Sequence, residues 1–242
     1  MRGPLLIAVL AAAVAPAAAG ASTRAPAGCS AGREAALGDA TIAYAATVRS
    51  HARAYRRPGR RPFASFARLN VNAVPTVFGI LSAVYGSGCR PTWYRVLLPI
   101  RPNQVTGYVR ADTVRVSTTS AQVVVDLSQR RLYLYRGGRE VLRSSAAVGA
   151  AATPTPTGSY YVNQKLLPAD PRGPYGPAAI GISAFSPVLT QWAQGGPVAI
   201  HGTNAPWSIG RAVSNGCIRV PNAVIRRLWT AMPPGTPVRI RR

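Results

Sequence analysis

Apolar and polar residues alternate over 48–55. Val48, Ser50, Ala52 and Ala54 fall on one side, and Arg49, His51, Arg53 and Tyr55 on the other. A period of two is that of a half-buried β-strand, and it puts His51 on the outer face. Further short apolar runs at 75–84, 92–98, 105–110 and 113–116 are separated by turn-forming Gly86, Gly88, Pro91, Pro99, Pro102 and Asn103. Short strands at close spacing predict a small barrel over 44–117. The basic run Arg56, Arg57, Arg60 and Arg61, punctuated by Pro58 and Gly59, reads as a solvated turn. Residues 22–43 are an Ala-rich lead-in, helical or irregular, and 117–120 (STTS) reads as a linker.

A second domain is expected over 118–242. It opens with a hairpin of 123–127 and 131–135, and Gly137-Gly138 turns the chain into 140–148. A strand over 159–163 follows a Thr/Pro turn. Residues 165–187 are rich in Gly and Pro and predict a long loop across the sheet, with Tyr175 and Phe185 packing in it. PVAIH (197–201) reads as a buried strand. Val224, Ile225, Leu228 and Trp229 form one face of a short helix with Asn222 as its cap, stopped by Pro233-Pro234-Gly235, and 236–240 is a final strand. The fold expected is mainly β, with one or two short helices.

The first residues decide the compartment. Arg2, the apolar 5–14 and Ala17-Ala18-Ala19 make a signal peptide over 1–21, too short and too interrupted by Pro16 to span a membrane. Of 29 basic residues Lys165 alone is lysine, and the net charge is +23. So positive a chain attracts polyanions. Export makes nucleic acid a poor partner and anionic cell-wall polymers a better one, and 7% aromatic residues are few for base stacking. An exported chain with three cysteines can pair two and leave one. Cys29 and Cys89, both in the N-terminal half, are the expected disulfide; all three unpaired is the open alternative. Two histidines and six acidic residues leave little ligand supply, so neither metal nor cofactor is expected.

The chemistry concentrates in 201–219, HGTNAPWSIGRAVSNGCIR. A thiol nucleophile needs a base to form thiolate and donors aimed at the oxyanion it creates. Cys217 and His201 supply the first two. Gly216, immediately before Cys217, lets the backbone turn its amides toward a reacting carbonyl.

This segment resembles the signature of the L,D-transpeptidase family (the YkuD-type catalytic domain): His201-Gly202, a Gly-rich stretch, then Ser214, Gly216, Cys217, Ile218 and Arg219. Asn215 stands where many members carry a second histidine. The opening hairpin and the T-P-T-P-T-G turn at 153–158 resemble the same domain, and a β-sandwich-like fold is implied. The run 92–114 resembles the closing strands of bacterial SH3-like modules, which often bind wall peptides or glycans.

The resemblance implies acyl transfer on peptidoglycan stem peptides. Cys217 is then the nucleophile and His201 the general base. Gly216, Asn215 and Ser214 support the oxyanion or the loop, and Arg219 holds a substrate carboxylate or braces the loop. A papain-like endopeptidase is disfavoured because its cysteine precedes its histidine. The rival of another class is a non-catalytic wall-binding protein that uses the basic surface and the SH3-like module.

Overall fold

A computed structural model describes residues 30–242. The expected signal peptide and Cys29 lie outside the described residues. The N-terminal half holds β1 (Glu34–Ala36), β2 (Ala43–Val48), β3 (His51–Tyr55), β4 (Pro62–Ala67), β5 (Val77–Tyr85), β6 (Pro91–Leu97), β7 (Thr106–Arg110) and β8 (Val114–Thr119). These form one antiparallel sheet in the order β4-β3-β7-β6-β5-β2-β8. The nine-residue β5 pairs with β6 along one edge and with β2 and then β1 along the other. Ala52 and Ala54 near one end of this order share a core with Val114 at the other end, together with Phe78, Tyr85 and Leu98. A flat sheet could not bring its two ends to one core, so this one curls around its apolar face.

The second half holds β9 (Ala121–Asp126), β10 (Arg131–Arg136), β11 (Arg139–Ser145), β12 (Val148–Gly149), β13 (Gly158–Leu166), β14 (Ala179–Phe185), β15 (Pro197–His201), β16 (Ala212–Ser214), β17 (Ile218–Arg219), α1 (Asn222–Ala231) and β18 (Pro237–Arg241). The main sheet runs β11-β10-β9-β18-β13-β14-β15-β17, and β12 pairs with β16 apart from it. Helix α1 buries Ile225 and Leu228 in the same core as Ile180, Ile200, Ile218 and Val238. Its apolar residues recur every three to four positions, so one stripe faces the sheet.

Several expectations are corrected. The single strand over 48–55 is two, β2 and β3, broken at Arg49-Ser50. The lead-in contains β1, and β4 was not foreseen. Residues 117–119 are no linker: β8 runs through them and pairs Thr119 with Ala43, leaving Ser120 alone before β9. The loop expected over 165–187 contains the end of β13 and all of β14. Strand β14 is buried on both faces, so its side chains are apolar or small without alternation, and the period-two signal is absent.

The two sheets meet closely. Tyr161 of β13 is 1% exposed, and its hydroxyl donates to the Val77 carbonyl of β5 at 3.1 Å. A Cβ on Gly79 would stand 3.0 Å from the Tyr161 ring, so only glycine admits that ring without displacement. The β6–β7 loop adds a clamp. Asn103 Nδ2 donates to the Phe185 carbonyl at 2.8 Å, and the Phe185 N–H donates to Asn103 Oδ1 at 2.8 Å. Arg101 donates to the carbonyls of Ser186, at 2.7 Å, and Gly195.

Candidate active site

The site is built on a parallel strand pair. β15 and β17 set Ile200 beside Ile218 and His201 beside Arg219. Ile200 and Ile218 are both 0% exposed and point into the core. Alternation therefore sends His201 and Arg219 to the opposite face, with Cys217 two positions before Arg219 on that face and opposite Ala199. Cys217 immediately precedes β17, beside the strand that ends in His201, and the Ala199 amide of that strand favours its thiolate. Val220 N–H donates to the His201 carbonyl at 2.9 Å and continues the pairing.

His201 is buried, and its Nδ1 lies 2.6 Å from the Gly202 carbonyl oxygen. A carbonyl oxygen only accepts, so Nδ1 carries the proton and Nε2 keeps its lone pair. The edge of the Tyr175 ring packs on the imidazole with centroids 5.0 Å apart. Burial lowers the His201 pKa to about 4; the Gly202 carbonyl opposes the shift and the Arg219 charge adds to it. The imidazole is thus a neutral base at physiological pH.

Cys217 is a free, half-buried thiol. Burial raises its pKa, opposed by the Ala199 amide and by Arg219, both of which favour thiolate. The sulfur opens on a cavity of about 580 Å³ that is also lined by Asn215, Tyr175, Trp192, Leu166 and Gln164. Trp192 and Tyr175 are about half exposed there, at 52% and 50%.

The loop that carries Cys217 is held from both sides. Ser214 Oγ donates to the Cys217 carbonyl at 2.6 Å, and Gly216 N–H donates to Ser214 Oγ at 3.2 Å. Ser214 is 1% exposed, a brace rather than a nucleophile. Gly216 sits at φ 104°, a conformation that glycine alone adopts readily. Thr155 Oγ1 donates to the Gly216 carbonyl at 2.9 Å and accepts from Gly149 N–H at 2.8 Å, while Thr153 Oγ1 donates to the Ser214 carbonyl at 2.9 Å. These threonines come from the T-P-T-P-T-G segment, read in the sequence only as a turn.

Asn222 does not cap α1: Pro221 is the N-cap, and Asn222 Oδ1 accepts the Thr203 N–H at 2.8 Å, tying the helix to the strand end beyond His201. Arg219 pairs through its backbone with Ala147 at 2.8 and 2.9 Å, and its buried Nε has no hydrogen-bond partner. Its nearby charge lowers the pKa of both His201 and Cys217. Cys89 is disulfide-bonded, and its expected partner Cys29 lies outside the described residues. His51 is exposed on β3, its Nε2 2.6 Å from Ser65 Oγ. Among the described residues no cluster of His, Cys, Asp and Glu could hold a metal ion, and no helix is long and apolar enough to cross a membrane.

The family model of the L,D-transpeptidase catalytic domain (YkuD) matches residues 120–240. The chain belongs to the L,D-transpeptidase family. It is 34% identical over 125 residues to the L,D-transpeptidase YkuD of Bacillus subtilis, covering 52% of this chain and 68% of that protein. The Bacillus licheniformis protein of the same name is 36% identical over 123 residues, 51% of this chain and 67% of that one. A crystal structure of an Enterococcus faecium L,D-transpeptidase is similar over 50% of this chain and 49% of its own length, with 27% identity and a TM-score of 0.40. The matched region contains β9 to β17, α1, all of β18 but Arg241, and both Cys217 and His201. Strands β1 to β8 lie outside it.

Proposed function

We propose that this chain is an exported peptidoglycan L,D-transpeptidase that uses Cys217 as nucleophile and His201 as general base. The observation that carries the reading is the strand pair: a thiol that lines a cavity immediately precedes β17, and its parallel partner β15 ends in a buried imidazole whose Nε2 is unprotonated. His201 Nε2 takes the thiol proton as sulfur attacks the carbonyl of the third residue of a tetrapeptide stem. The Cys217 N–H, joined by the Asn215 side chain, donates to the oxyanion. Gly216 N–H contributes once it leaves Ser214. A donor of this kind is worth roughly 3–4 kcal/mol.

Collapse of the tetrahedral intermediate breaks the amide bond. The D-Ala amine leaves with the proton held by His201, and a thioester remains on Cys217. The side-chain amine of a neighbouring stem then attacks the thioester, giving a 3→3 cross-link and regenerating the thiol. Water in its place gives an L,D-carboxypeptidase. The thiol is neutral at rest, so proton transfer to His201 accompanies the attack rather than preceding it.

The curled N-terminal sheet is read as the SH3-like module of this wall enzyme, and the +23 charge as its hold on anionic wall polymers. Incubation of the mature protein with a disaccharide-tetrapeptide, followed by mass spectrometry, tests the assignment. Release of D-Ala with a cross-linked dimer or a tripeptide product, absent with Cys217→Ser, supports it. No release by protein whose Cys217 is reduced and alkylatable refutes it.

A further inference from the structure

A second cavity, of about 450 Å³, lies where the two sheets meet. Ser65 and Ala67 of β4 and Val71 of the loop after it come to it from the N-terminal half, and Asn163, Gln164 and Gln194 from the L,D-transpeptidase domain. Asn72, Gln164, Gln194 and Pro197 line both this cavity and the one that holds Cys217, so the two adjoin.

Carboxamides form the seam. Asn70 and Asn72 donate to Gln164 Oε1 at 3.0 and 2.9 Å, and Asn72 exchanges two hydrogen bonds with Gln194, at 3.3 and 3.0 Å. Gln194 is held at φ 59°, a conformation costly for a non-glycine residue and maintained only where surroundings impose it. Asn163 has its Oδ1 buried without a hydrogen-bond partner. Rotation of that carboxamide toward a donor in the cavity relieves an unmet acceptor.

The lining also separates this cavity from the rest of the chain. In a protein of net charge +23, none of the side chains that line it is ionisable. Carboxamides stand beside the apolar faces of Phe66 and Phe185. A stem peptide carries free carboxylates and an ammonium, which a charged wall would suit. Its neutral part is the N-acetylated sugar, whose hydroxyls and acetamido group pair with carboxamides and whose ring faces cover apolar side chains. Three residues, counting the third itself, lie between the sugar and the third-residue carbonyl of a stem, a reach of about 10–11 Å when extended. That is a reach into an adjoining cavity rather than along the whole molecule.

We propose that the cavity between the sheets is a subsite for the N-acetylated sugar of the donor stem, with Asn72 and Gln164 at the crossing between peptide and sugar. This rests on the stem-peptide assignment of Cys217. It gives the N-terminal sheet a part in substrate binding as well as in attachment to the wall.

The test compares two donors, a disaccharide-tetrapeptide and the same tetrapeptide without sugar, on the wild type and on Ala67→Trp and Val71→Trp. Both substituted positions are exposed on the cavity rim, and two variants guard against one that folds poorly. Acylation of Cys217 by a carbapenem, read by intact mass, is the control. If the wild type is not acylated, the assignment of Cys217 itself fails, whatever the donors do. With acylation unchanged, the subsite predicts that wild type has a KM about tenfold lower for the sugar-bearing donor, and that either Trp variant erases that difference. Equal KM for the two donors on the wild type overturns the proposal. So does a Trp variant that raises the acceptor KM and leaves the donor difference intact, because the cavity would then belong to the acceptor stem.

Discussion

At Cys217, burial holds the proton on sulfur while the Ala199 amide and Arg219 favour its loss, and burial prevails. At His201, burial and Arg219 together keep the imidazole neutral down to about pH 4. Activity that needs a neutral Nε2 and a thiol that still carries its proton should therefore be level through neutrality and show no inflection near the ordinary histidine value. It should be lost as pH falls through about 4. A pH–rate profile of cysteine acylation reads this directly.

The same shift enters stability. An unfolded His201 gains a proton below about 6.5 while the folded one does not until about 4, so the unfolded state binds more protons in that window. Stability should fall as pH drops across it, by on the order of 3 kcal/mol at the lower end. His201→Gln should flatten that acid loss in denaturant titrations and slow acylation by about 10²–10⁴-fold. Cys217, His201 and Gly216 stand out in the sequence as candidates because those residue types lie together at a recognisable spacing. The His201 tautomer does not, because it depends on where a neighbouring carbonyl points.

Elements explain what single residues do not. Thr155 stands between Gly149 and Gly216 and fixes the loop that carries Cys217. Thr155→Val keeps its shape and removes both bonds, leaving a buried carbonyl and a half-buried amide unmatched. We expect a loss of about 1–3 kcal/mol in thermal unfolding and slower acylation of Cys217. The turn was readable as Thr, Pro and Gly in a row; its bond to residues 61 positions away was not, since nothing local encodes that partner. Asn222 was misread for a related reason. It sits where a cap residue belongs, yet Pro221 fills that role, and the Asn222 carboxamide is drawn to Thr203 by tertiary packing. Strand β14 escaped because burial on both faces removes alternation, whereas the half-buried β9 and β10 announced themselves.

Across the whole molecule, the seam between the sheets joins the two halves, and they should unfold as one unit. Tyr161 enters the N-terminal sheet over Gly79, and the Asn103 carboxamide pairs with Phe185 as a strand would. Tyr161→Phe should cost about 1 kcal/mol by removing the donor to the Val77 carbonyl. Near- and far-ultraviolet signals should still melt together. No pattern in the sequence announced this contact, because a buried tyrosine and a strand glycine look like ordinary core and bulge residues. The charge, by contrast, was plain from composition. If it serves attachment, wall sacculi should retain the protein at low salt and release it near 1 M, where such attraction is screened. Equal retention at both would assign the charge no such role.

The central claim is that burial has left Cys217 protonated yet ready to react because His201 can take its proton. Intact mass after incubation with a carbapenem, for the mature protein and for Cys217→Ser, tests it most directly. One adduct per wild-type chain and none on the variant is the expected result. A folded wild type with reduced Cys217 and no adduct would contradict it, and the chain would then stand as a wall-binding protein with a dormant site.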